Sequence, residues 1–269
     1  MSDFASQSTQ VAPQNLPQTG KLAGKIAVVT GGNSGIGYAT AQQFVAEGAK
    51  VIITGRNADA VASAASDLGV QGITADQANL SDLDKLVSQV EADYGSVDVL
   101  FVNAGIFLPT PLGHISEDAY DNQMNINFKG AVFTLEKFLP LLNPGASVIN
   151  LSSINAYTGM PNTAVYAATK AALNSFTRTA ATELASRKIR VNAVNPGPVN
   201  TPIFSKTGMS EDDMNGFASA MQQRIPLKEF GTPEAVAKLV TFLASDDAAW
   251  ITGSEYNIDG GINVNPVLS

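Results

Sequence analysis

The chain has 269 residues, of which 45% are apolar and 15% charged, a composition typical of a folded enzyme with a sizeable core. Lys and Arg number 16 against 24 Asp and Glu, and the resulting net charge of −8 disfavours nucleic acid as a partner. The absence of cysteine excludes disulfides, thiol nucleophiles and Cys-ligated zinc, and one histidine is too few for a histidine metal site, so no metal is expected.

The first twenty residues differ in composition from the rest. Residues 1–20 are rich in Ser, Gln, Thr and Pro, with neither a basic start nor an apolar stretch of signal-peptide length. We therefore expect a flexible N-terminal tail followed by one domain over residues 21–269. No later segment approaches the roughly 18 uncharged apolar residues that span a bilayer, so no membrane partner is expected and a cytoplasmic location is the default.

From Lys25 onward, short β-branched runs alternate with longer helical patterns, which is typical of a parallel sheet built from βαβ units. With right-handed crossovers, seven strands form a single-domain, doubly wound Rossmann α/β sheet with helices on both faces. Ligands of such sheets bind beyond the carboxyl ends of the strands. The predicted strands are 26–30, 50–54, 72–75, 97–103, 147–152, 190–195 and 255–258.

Helix boundaries are indicated by capping residues and prolines. One helix is predicted over residues 37–47, and Ser81 is the predicted N-cap of another, with Asp84 in its acidic first turn. Pro140 and Pro144 are expected to close a third helix before the fifth strand.

The first strand leads directly into a glycine cluster with the spacing Gly31-x-x-x-Gly35-x-Gly37, and a helical pattern begins inside it. Glycines let the backbone approach phosphates, while free N–H groups and the dipole at a helix start hold negative charge. The cluster therefore predicts a dinucleotide pyrophosphate site, with a simple tight turn as the alternative. The predicted contacts are Gly31, Asn33, Ser34, Gly35, Ile36 and Gly37.

The ends of the next strands carry polar residues. Dinucleotide sites usually have an acid after the second strand, but Arg56 stands here and can pair with a 2′-phosphate. Arg56 therefore favours NADP, as NADPH in its reduced form, over NAD; a solvated loop residue is the alternative. Asp76 and the run Asn103, Ala104 and Gly105 fall where the adenine half would lie, although turns select the same residue types.

A possible acid/base group follows the fifth strand. Ser152 and Ser153 end that strand, and Tyr166 precedes Lys170 by four residues on one helix face. A phenol titrates near ~10, and Lys170 could stabilise its phenolate. A serine hydroxyl could stabilise a carbonyl oxygen that accepts a hydride while the tyrosine donates its proton. A lone Tyr-x-x-x-Lys pair, by contrast, is usually only a helix surface.

In this order the motifs resemble those of the short-chain dehydrogenase/reductase family, over residues 21–265. The resemblance rests on residues 30–37, on residues 103–105 and on residues 166–170. It implies an oxidoreductase that moves a hydride between a nicotinamide dinucleotide and a carbonyl or alcohol carbon. Ser153 lies 13 residues before Tyr166, which matches the family spacing and favours it over Ser152.

The resemblance implies further site residues. Asn127 would hold a water that leads from Lys170 to solvent. Lys170 would also bind the nicotinamide ribose, and Tyr166 would contact the cofactor as well. The implied nicotinamide contacts are Pro196, Gly197, Val199 and Thr201. No basic residue precedes Gly35 within the glycine loop, so the choice of NADP depends mainly on Arg56.

The motifs say less about the residues that would bind the substrate. Residues 202–226 correspond to the family's substrate lid, although Met and Phe at helical spacing also fit a core face. The predicted pocket walls are Ile106, Phe107, Ile154, Asn155, Tyr157, Met160, Ile203, Met209, Met214 and Phe217. None of them is basic, so a small neutral ketone, aldehyde or corresponding alcohol is the expected substrate.

Three functional readings remain. The leading one is an NADP-dependent carbonyl reductase that also oxidises the alcohol; the others are a non-catalytic dinucleotide-binding sensor or scaffold and an NAD-dependent alcohol or sugar dehydrogenase. The presence of Asn127, Ser153, Tyr166 and Lys170 together favours catalysis. Helices near residues 117–139 and 163–185 are those by which the family commonly assembles, so a homotetramer is expected.

Overall fold

The computed structural model describes residues 19–201 and 211–264, with the backbone alone described for residues 211–215 and 217. Residues 1–18 of the predicted tail and 202–210 of the predicted lid lie outside the described residues.

One parallel sheet organises the chain, with the strand order β3-β2-β1-β4-β5-β6-β7. Its strands are β1 (Ile26–Thr30), β2 (Lys50–Gly55), β3 (Gln71–Thr74), β4 (Val97–Val102), β5 (Leu142–Leu151), β6 (Arg190–Pro196) and β7 (Glu255–Ile258). The predicted Rossmann fold is confirmed. The strand order reverses between β1 and β4, so a ligand crevice opens beyond the carboxyl ends of these two strands.

Helices connect the strands and cover the sheet. They are α1 (Gly35–Ala46), α2 (Ala58–Leu68), α3 (Leu80–Tyr94), α4 (Glu117–Gln123), α5 (Gly130–Phe138), α6 (Ala164–Leu184), α7 (Glu211–Arg224) and α8 (Pro233–Ala244). A π-helical turn, Met124–Lys129, joins α4 to α5, and a short helical turn, Ile154–Ala156, follows β5.

The core has two layers, one on each face of the sheet. Ala27 and Val29 of β1 pack with the layer that includes α1, α2 and α8, whereas Val28 packs with the layer of α3, α5 and α6. Side chains of successive strand residues point to opposite faces, which explains why a continuous apolar run serves both layers. Both faces are buried, so the ligand crevice lies at the strand ends.

Several predicted boundaries are wrong for local reasons. The N-cap of α3 is Asn79 rather than Ser81, since the Asn79 side chain accepts a hydrogen bond from the Ser81 N–H at 3.0 Å. β5 begins at Leu142, so Pro144 lies inside a strand instead of before it. This early segment pairs with Val97 across a register shift, and such an irregularity tolerates a proline that donates no hydrogen bond.

Across residues 19–201 and 211–264, no helix combines the length and the apolar character that crossing a bilayer requires.

Candidate active site

The glycine loop after β1 forms a closely packed cradle. Gly31 and Gly35 have φ angles of 64° and 54°, in the left-handed region that favours glycine. A Cβ on Gly37 would lie 2.3 Å from the Gly31 carbonyl oxygen, so the backbone can cross there only without a side chain. Ser34 makes no side-chain cap on α1, which leaves the first-turn N–H groups of this helix open to an anion.

Asn103 holds the glycine loop in place. Its side-chain amide donates to the carbonyl oxygens of Thr30 at 2.8 Å and Gly31 at 3.1 Å. The Thr30 hydroxyl accepts in return from the backbone N–H groups of Asn103 at 2.9 Å and Ala104 at 3.0 Å. Thr30 was not among the predicted site residues, although its position directly before the glycine cluster was a usable signal.

A cavity of about 650 Å³ runs from the glycine loop to the helical turn after β5. It brings together the predicted cofactor residues that line it: Gly31, Asn33, Ser34, Gly35, Ile36, Arg56, Asp76, Asn103, Ala104, Gly105, Tyr166, Lys170, Pro196, Gly197, Val199 and Thr201. Gly37 is buried behind this lining. The charged residues in the described lining are Arg56, Asp76 and Lys170.

Tyr166 lies in the first turn of α6, where its ring meets the edge of Phe107 with the centroids 5.3 Å apart. Burial raises the pKa of the Tyr166 phenol above its ordinary value of 10.0, and a hydrogen bond with Ser153 lowers it in part. This differs from the sequence expectation, in which Lys170 lowers that pKa. The phenol is therefore protonated at neutral pH and can donate a proton.

Lys170 is buried on the same face of α6. Its Nζ lies 5.6 Å from the centre of the Tyr166 ring and donates to the Leu151 carbonyl oxygen at 2.7 Å. Burial lowers the pKa of Lys170 from 10.5 to about 8, because an ammonium group loses its hydration in the interior. A cation at neutral pH thus stands beside the phenol.

The two serines after β5 have different environments. The Ser152 hydroxyl donates to the Lys170 carbonyl oxygen at 3.1 Å. The Ser153 hydroxyl accepts from the Asn155 N–H at 3.1 Å and also bonds to Tyr166. This arrangement supports Ser153 as the serine that acts together with the tyrosine.

Asn127 lies in the π-helical turn and is 1% exposed. Its side chain exchanges two hydrogen bonds with the backbone of Ile106, each of 2.8 Å. A Cβ on Gly105 would lie 3.3 Å from Asn127 Oδ1 and 3.7 Å from Lys170 Nζ, so these groups share a small space. π-helical turns are frequent at functional sites.

The loop after β6, which the sequence predicts to contact nicotinamide, lines one end of the cavity. Val199 forms an isolated β-bridge with Gly231, and Asn200 N–H donates to the Gly231 carbonyl oxygen at 3.0 Å. A Cβ on Gly197 would lie 2.7 Å from Asp259 Cα. These contacts hold the loop in one position, although its sequence alone indicates only a Pro/Gly turn.

Arg56 and Asp76 lie at the outer end of the cavity. Arg56 is exposed, immediately after β2. Asp76 is held in a turn, because its carboxylate accepts from the Ala78 N–H at 2.9 Å. Gln77, which sequence reasoning missed, is buried and donates to the carbonyl oxygens of Ala104 at 3.2 Å and Ile126 at 3.0 Å.

Some of the residues predicted to form the substrate pocket line the cavity. Ile106, Phe107, Ile154, Asn155 and Met160 line the cavity as predicted. Further lining residues that were not assigned are Leu108, Asn122, Thr163, Met221 and Phe230, and no local motif distinguishes them. Ile203 and Met209 lie outside the described residues, as do the side chains of Met214 and Phe217 on α7.

Tyr157 does not lie in the cavity lining that the structure describes. It directs its hydroxyl to Glu255 and away from the pocket wall. The sequence analysis assigned Ile154, Asn155, Tyr157 and Met160 to the same pocket wall. In the structure, the short helical turn directs Tyr157 toward β7 instead.

Comparisons with known proteins agree with this geometry. The family described as "Enoyl-(Acyl carrier protein) reductase" matches residues 31–263. The chain is 40% identical over 249 residues to "Oxidoreductase asL5" of Sarocladium schorii, covering 90% of this chain and 97% of that protein. It is 35% identical to the "NADP-dependent (R)-specific alcohol dehydrogenase" of Lentilactobacillus kefiri, covering 90% of this chain and 98% of that protein.

A solved structure has the same architecture. The "blue fluorescent protein from metagenomic library in complex with NADPH" superposes with a TM-score of 0.82 at 33% identity, covering 90% of this chain and 99% of that one. The chain belongs to the short-chain dehydrogenase/reductase family of oxidoreductases. The resemblance inferred from the motifs is thereby confirmed.

Proposed function

We propose that the chain is an NADP(H)-dependent oxidoreductase that reduces a ketone or aldehyde to an alcohol, and the reverse, with Tyr166 as general acid/base. One observation carries this proposal: the Tyr166 phenol, with Lys170 and Ser153 around it, lies in the cavity that begins at the glycine loop. One cavity therefore contains both the residues proposed to bind the cofactor and the residues proposed to transfer the proton.

The residues present fit a nicotinamide dinucleotide. The glycine cradle and the open start of α1 suit its pyrophosphate, and Lys170 with residues 196–201 would hold the nicotinamide half. When bound, the cofactor would supply the hydride. The side-chain amide of Asn103 keeps the cradle in shape, since it ties together the ends of β1 and β4.

In the reduction direction, the protein's own groups handle the proton. The phenol of Tyr166 donates its proton to the carbonyl oxygen as negative charge develops there, and the Ser153 hydroxyl stabilises the same oxygen. The Lys170 ammonium stabilises the phenolate that remains. Asn127 holds the path from Lys170 toward solvent, so that the tyrosine can be reprotonated.

The choice of NADP over NAD rests on Arg56. Its exposed guanidinium stands at the end of β2, where it can pair with a 2′-phosphate by charge-assisted hydrogen bonds. The names of the alcohol dehydrogenase and of the NADPH complex support the same cofactor. NAD use is the less favoured alternative.

The substrate is a small neutral molecule in this proposal. The described lining around Tyr166 is apolar except for amide and hydroxyl groups, for example Phe107, Ile154, Asn155 and Met160. A carboxylate or phosphate on the substrate would find no cation there besides Lys170. Residues 202–226 are proposed as the lid over this end.

Assembly and location are also proposals. Tyr120 on α4, and Leu112 and Ile115 in the segment before α4, are exposed, which supports self-association through the region of α4. We expect a homotetramer, which light scattering coupled to size-exclusion chromatography would detect. A cytoplasmic location stays a prediction.

The test is a panel of neutral ketones, ketoesters, quinones and sugars assayed with NADPH and with NADH, and with the alcohols and NADP⁺ for the reverse direction. We expect NADPH oxidation with at least one neutral carbonyl compound, a slower rate with NADH, and the alcohol as the product identified by mass spectrometry. NADPH binding without turnover of any panel member would favour the sensor or scaffold reading. Faster turnover of sugars with NADH would favour the NAD-dependent dehydrogenase.

A further inference from the structure

A partly buried polar cluster connects α6, β6, β7 and the helical turn after β5, and none of the steps proposed above uses it. It contains Tyr157, Asn174, Asn195, Glu255 and Arg178. Asn174 and Asn195 are 2% and 0% exposed, whereas Tyr157 is 53% exposed. Buried polar groups need partners, so the two asparagine amides hold the Tyr157 hydroxyl against α6 and β6.

The Tyr157 hydroxyl is the centre of the cluster. It donates to Glu255 Oε2 on β7, and it accepts from Asn174 Nδ2 on α6 at 3.0 Å and from Asn195 Nδ2 on β6 at 3.1 Å. One donor and two acceptor positions are the full capacity of a phenol hydroxyl. A single oxygen atom therefore connects three elements of the fold.

Each of these elements leads to a part of the candidate site. Asn174 lies four residues after Lys170 on α6, which also carries Tyr166. Asn195 directly precedes Pro196, where the nicotinamide loop begins. The backbone of Tyr157 itself closes the helical turn that begins at Ser153.

That turn is short and has two anchors. At its start, the Ser152 N–H donates to the Val194 carbonyl oxygen at 2.8 Å. At its end, the Tyr157 N–H donates to the Ile154 carbonyl oxygen at 2.9 Å, and the Tyr157 side chain reaches the cluster. Ser153 lies between the two anchors, so its hydroxyl position depends on both.

Glu255 completes the cluster. Its Oε1 accepts from Arg178, and its Oε2 accepts from Asn174 Nδ2 at 2.9 Å as well as from Tyr157. The Glu255 side chain is only 14% exposed, whereas that of Arg178 is 56% exposed. The carboxylate is thus the inner partner that holds the Tyr157 hydroxyl.

We propose that Tyr157 and Glu255 are positioning residues, which set the Ser153 hydroxyl against Tyr166 by fixing the turn after β5 to α6, β6 and β7. The role of Tyr157 rests on the proposed function, since it acts through Ser153 and Tyr166. It also replaces the predicted role of Tyr157 as a pocket wall.

The first test is the kinetics of Tyr157→Phe. Loss of the hydroxyl frees the end of the turn, and we expect kcat to fall about tenfold for every substrate that the panel identifies, with KM changed by less than about threefold. Glu255→Gln keeps an acceptor for the hydroxyl and should stay within about threefold of the wild type. Tyr94→Phe, at the end of α3, is the matched tyrosine control.

The second test does not require turnover. The chain has six tyrosines, so protein labelled isotopically at tyrosine Cζ gives an NMR spectrum in which the Tyr166 signal is assigned by its absence in Tyr166→Phe. The Ser153 hydrogen bond bears on the Tyr166 hydroxyl. We therefore expect Tyr157→Phe to move the Tyr166 signal in the same direction as Ser153→Ala does, whereas Tyr94→Phe leaves it in place.

Several results would overturn the proposal. If Tyr157→Phe is folded and its Tyr166 signal does not move, the proposal is wrong, whatever the rate. A changed KM with an unchanged kcat would also contradict it, because that result is expected of a residue in the pocket wall. If Tyr157→Phe does not fold, Glu255→Ala carries the same expectations from the other partner. If the wild type turns over no carbonyl compound, the proposed function fails, but the NMR comparison still decides the positioning role.

Discussion

The half of the cavity proposed to bind the cofactor (the cofactor half) and the half proposed to bind the substrate (the substrate half) are built differently. In the cofactor half, backbone crosses backbone so closely that a Cβ on Gly37 would lie 2.3 Å from a carbonyl oxygen. In the substrate half, side chains such as Phe107, Met160 and Met221 form the wall. A Cβ on Gly159, which precedes Met160 and is not part of the described lining, would meet no atom within 4 Å. We therefore expect the first half to tolerate fewer residue types than the second.

This difference bears on function. A dinucleotide has the same pyrophosphate in every enzyme that uses it, so a closely fitted backbone cradle serves any of them. Substrates vary, and a wall of adaptable side chains can be changed without altering the cradle. Tyr166 and Lys170 lie where the two halves meet.

The largest effect is expected from a substitution that disrupts the close packing of the cofactor half. Gly37→Ala places a methyl group against the Gly31 carbonyl oxygen and the Asn103 amide, so the loop must move. We expect NADPH affinity, measured by the fluorescence of the bound nicotinamide, to fall by at least about 100-fold, in line with the cost of core overpacking. Gly159→Ala is the matched control, and its NADPH affinity should equal that of the wild type. Equal affinities in both variants would contradict the contrast between the halves.

The next largest effect is expected on the preference for NADPH over NADH, at Arg56 in the cofactor half. Arg56→Asp replaces a cation by an anion where the 2′-phosphate is proposed to bind, so the ratio of kcat/KM for NADPH to that for NADH should fall by at least about tenfold. Lys85→Asp, on the surface of α3, makes the same change in net charge and should leave the ratio unaltered. An unchanged ratio in Arg56→Asp would show that the phosphate is bound elsewhere.

A smaller effect is expected where the halves meet. The pKa of Lys170 is lowered to about 8, so its positive charge is present below that pH and is lost above it. Because Lys170 would hold the cofactor as a cation and faces the Tyr166 phenol, kcat/KM for NADPH should fall as pH rises through about 8, by about tenfold per pH unit for a single ionisation. A profile that stays flat to about pH 9.5 would contradict this assignment.

All the residues predicted to bind the cofactor except Gly37 line one cavity, because the constraints that select them are local. A glycine that must avoid a Cβ clash, or a tyrosine one turn before a lysine, is visible in a short window. The strands were predicted for the same reason, since their apolar runs are continuous. β1 and β7 have the predicted ends, Ile26–Thr30 and Glu255–Ile258.

The remaining features depend on contacts between distant residues. Tyr157 turns away from the pocket because its hydroxyl bonds to Glu255, 98 residues later in the chain. Asn127 lies in a π-helical turn that no helical periodicity indicates, and it became a candidate only through the family resemblance. Phe230 reaches the cavity through the bridge between Val199 and Gly231, which no local pattern predicts.

The central claim is that the Tyr166 hydroxyl transfers the proton, and its most direct test is the turnover of Tyr166→Phe with a carbonyl substrate and NADPH. Removing the hydroxyl leaves the ring packed on Phe107 and the cofactor cradle intact, so NADPH affinity should fall by no more than about tenfold, the loss of one hydrogen bond. We expect kcat to fall by at least about 100-fold, the contribution of a general acid. Turnover near that of the wild type would contradict the claim.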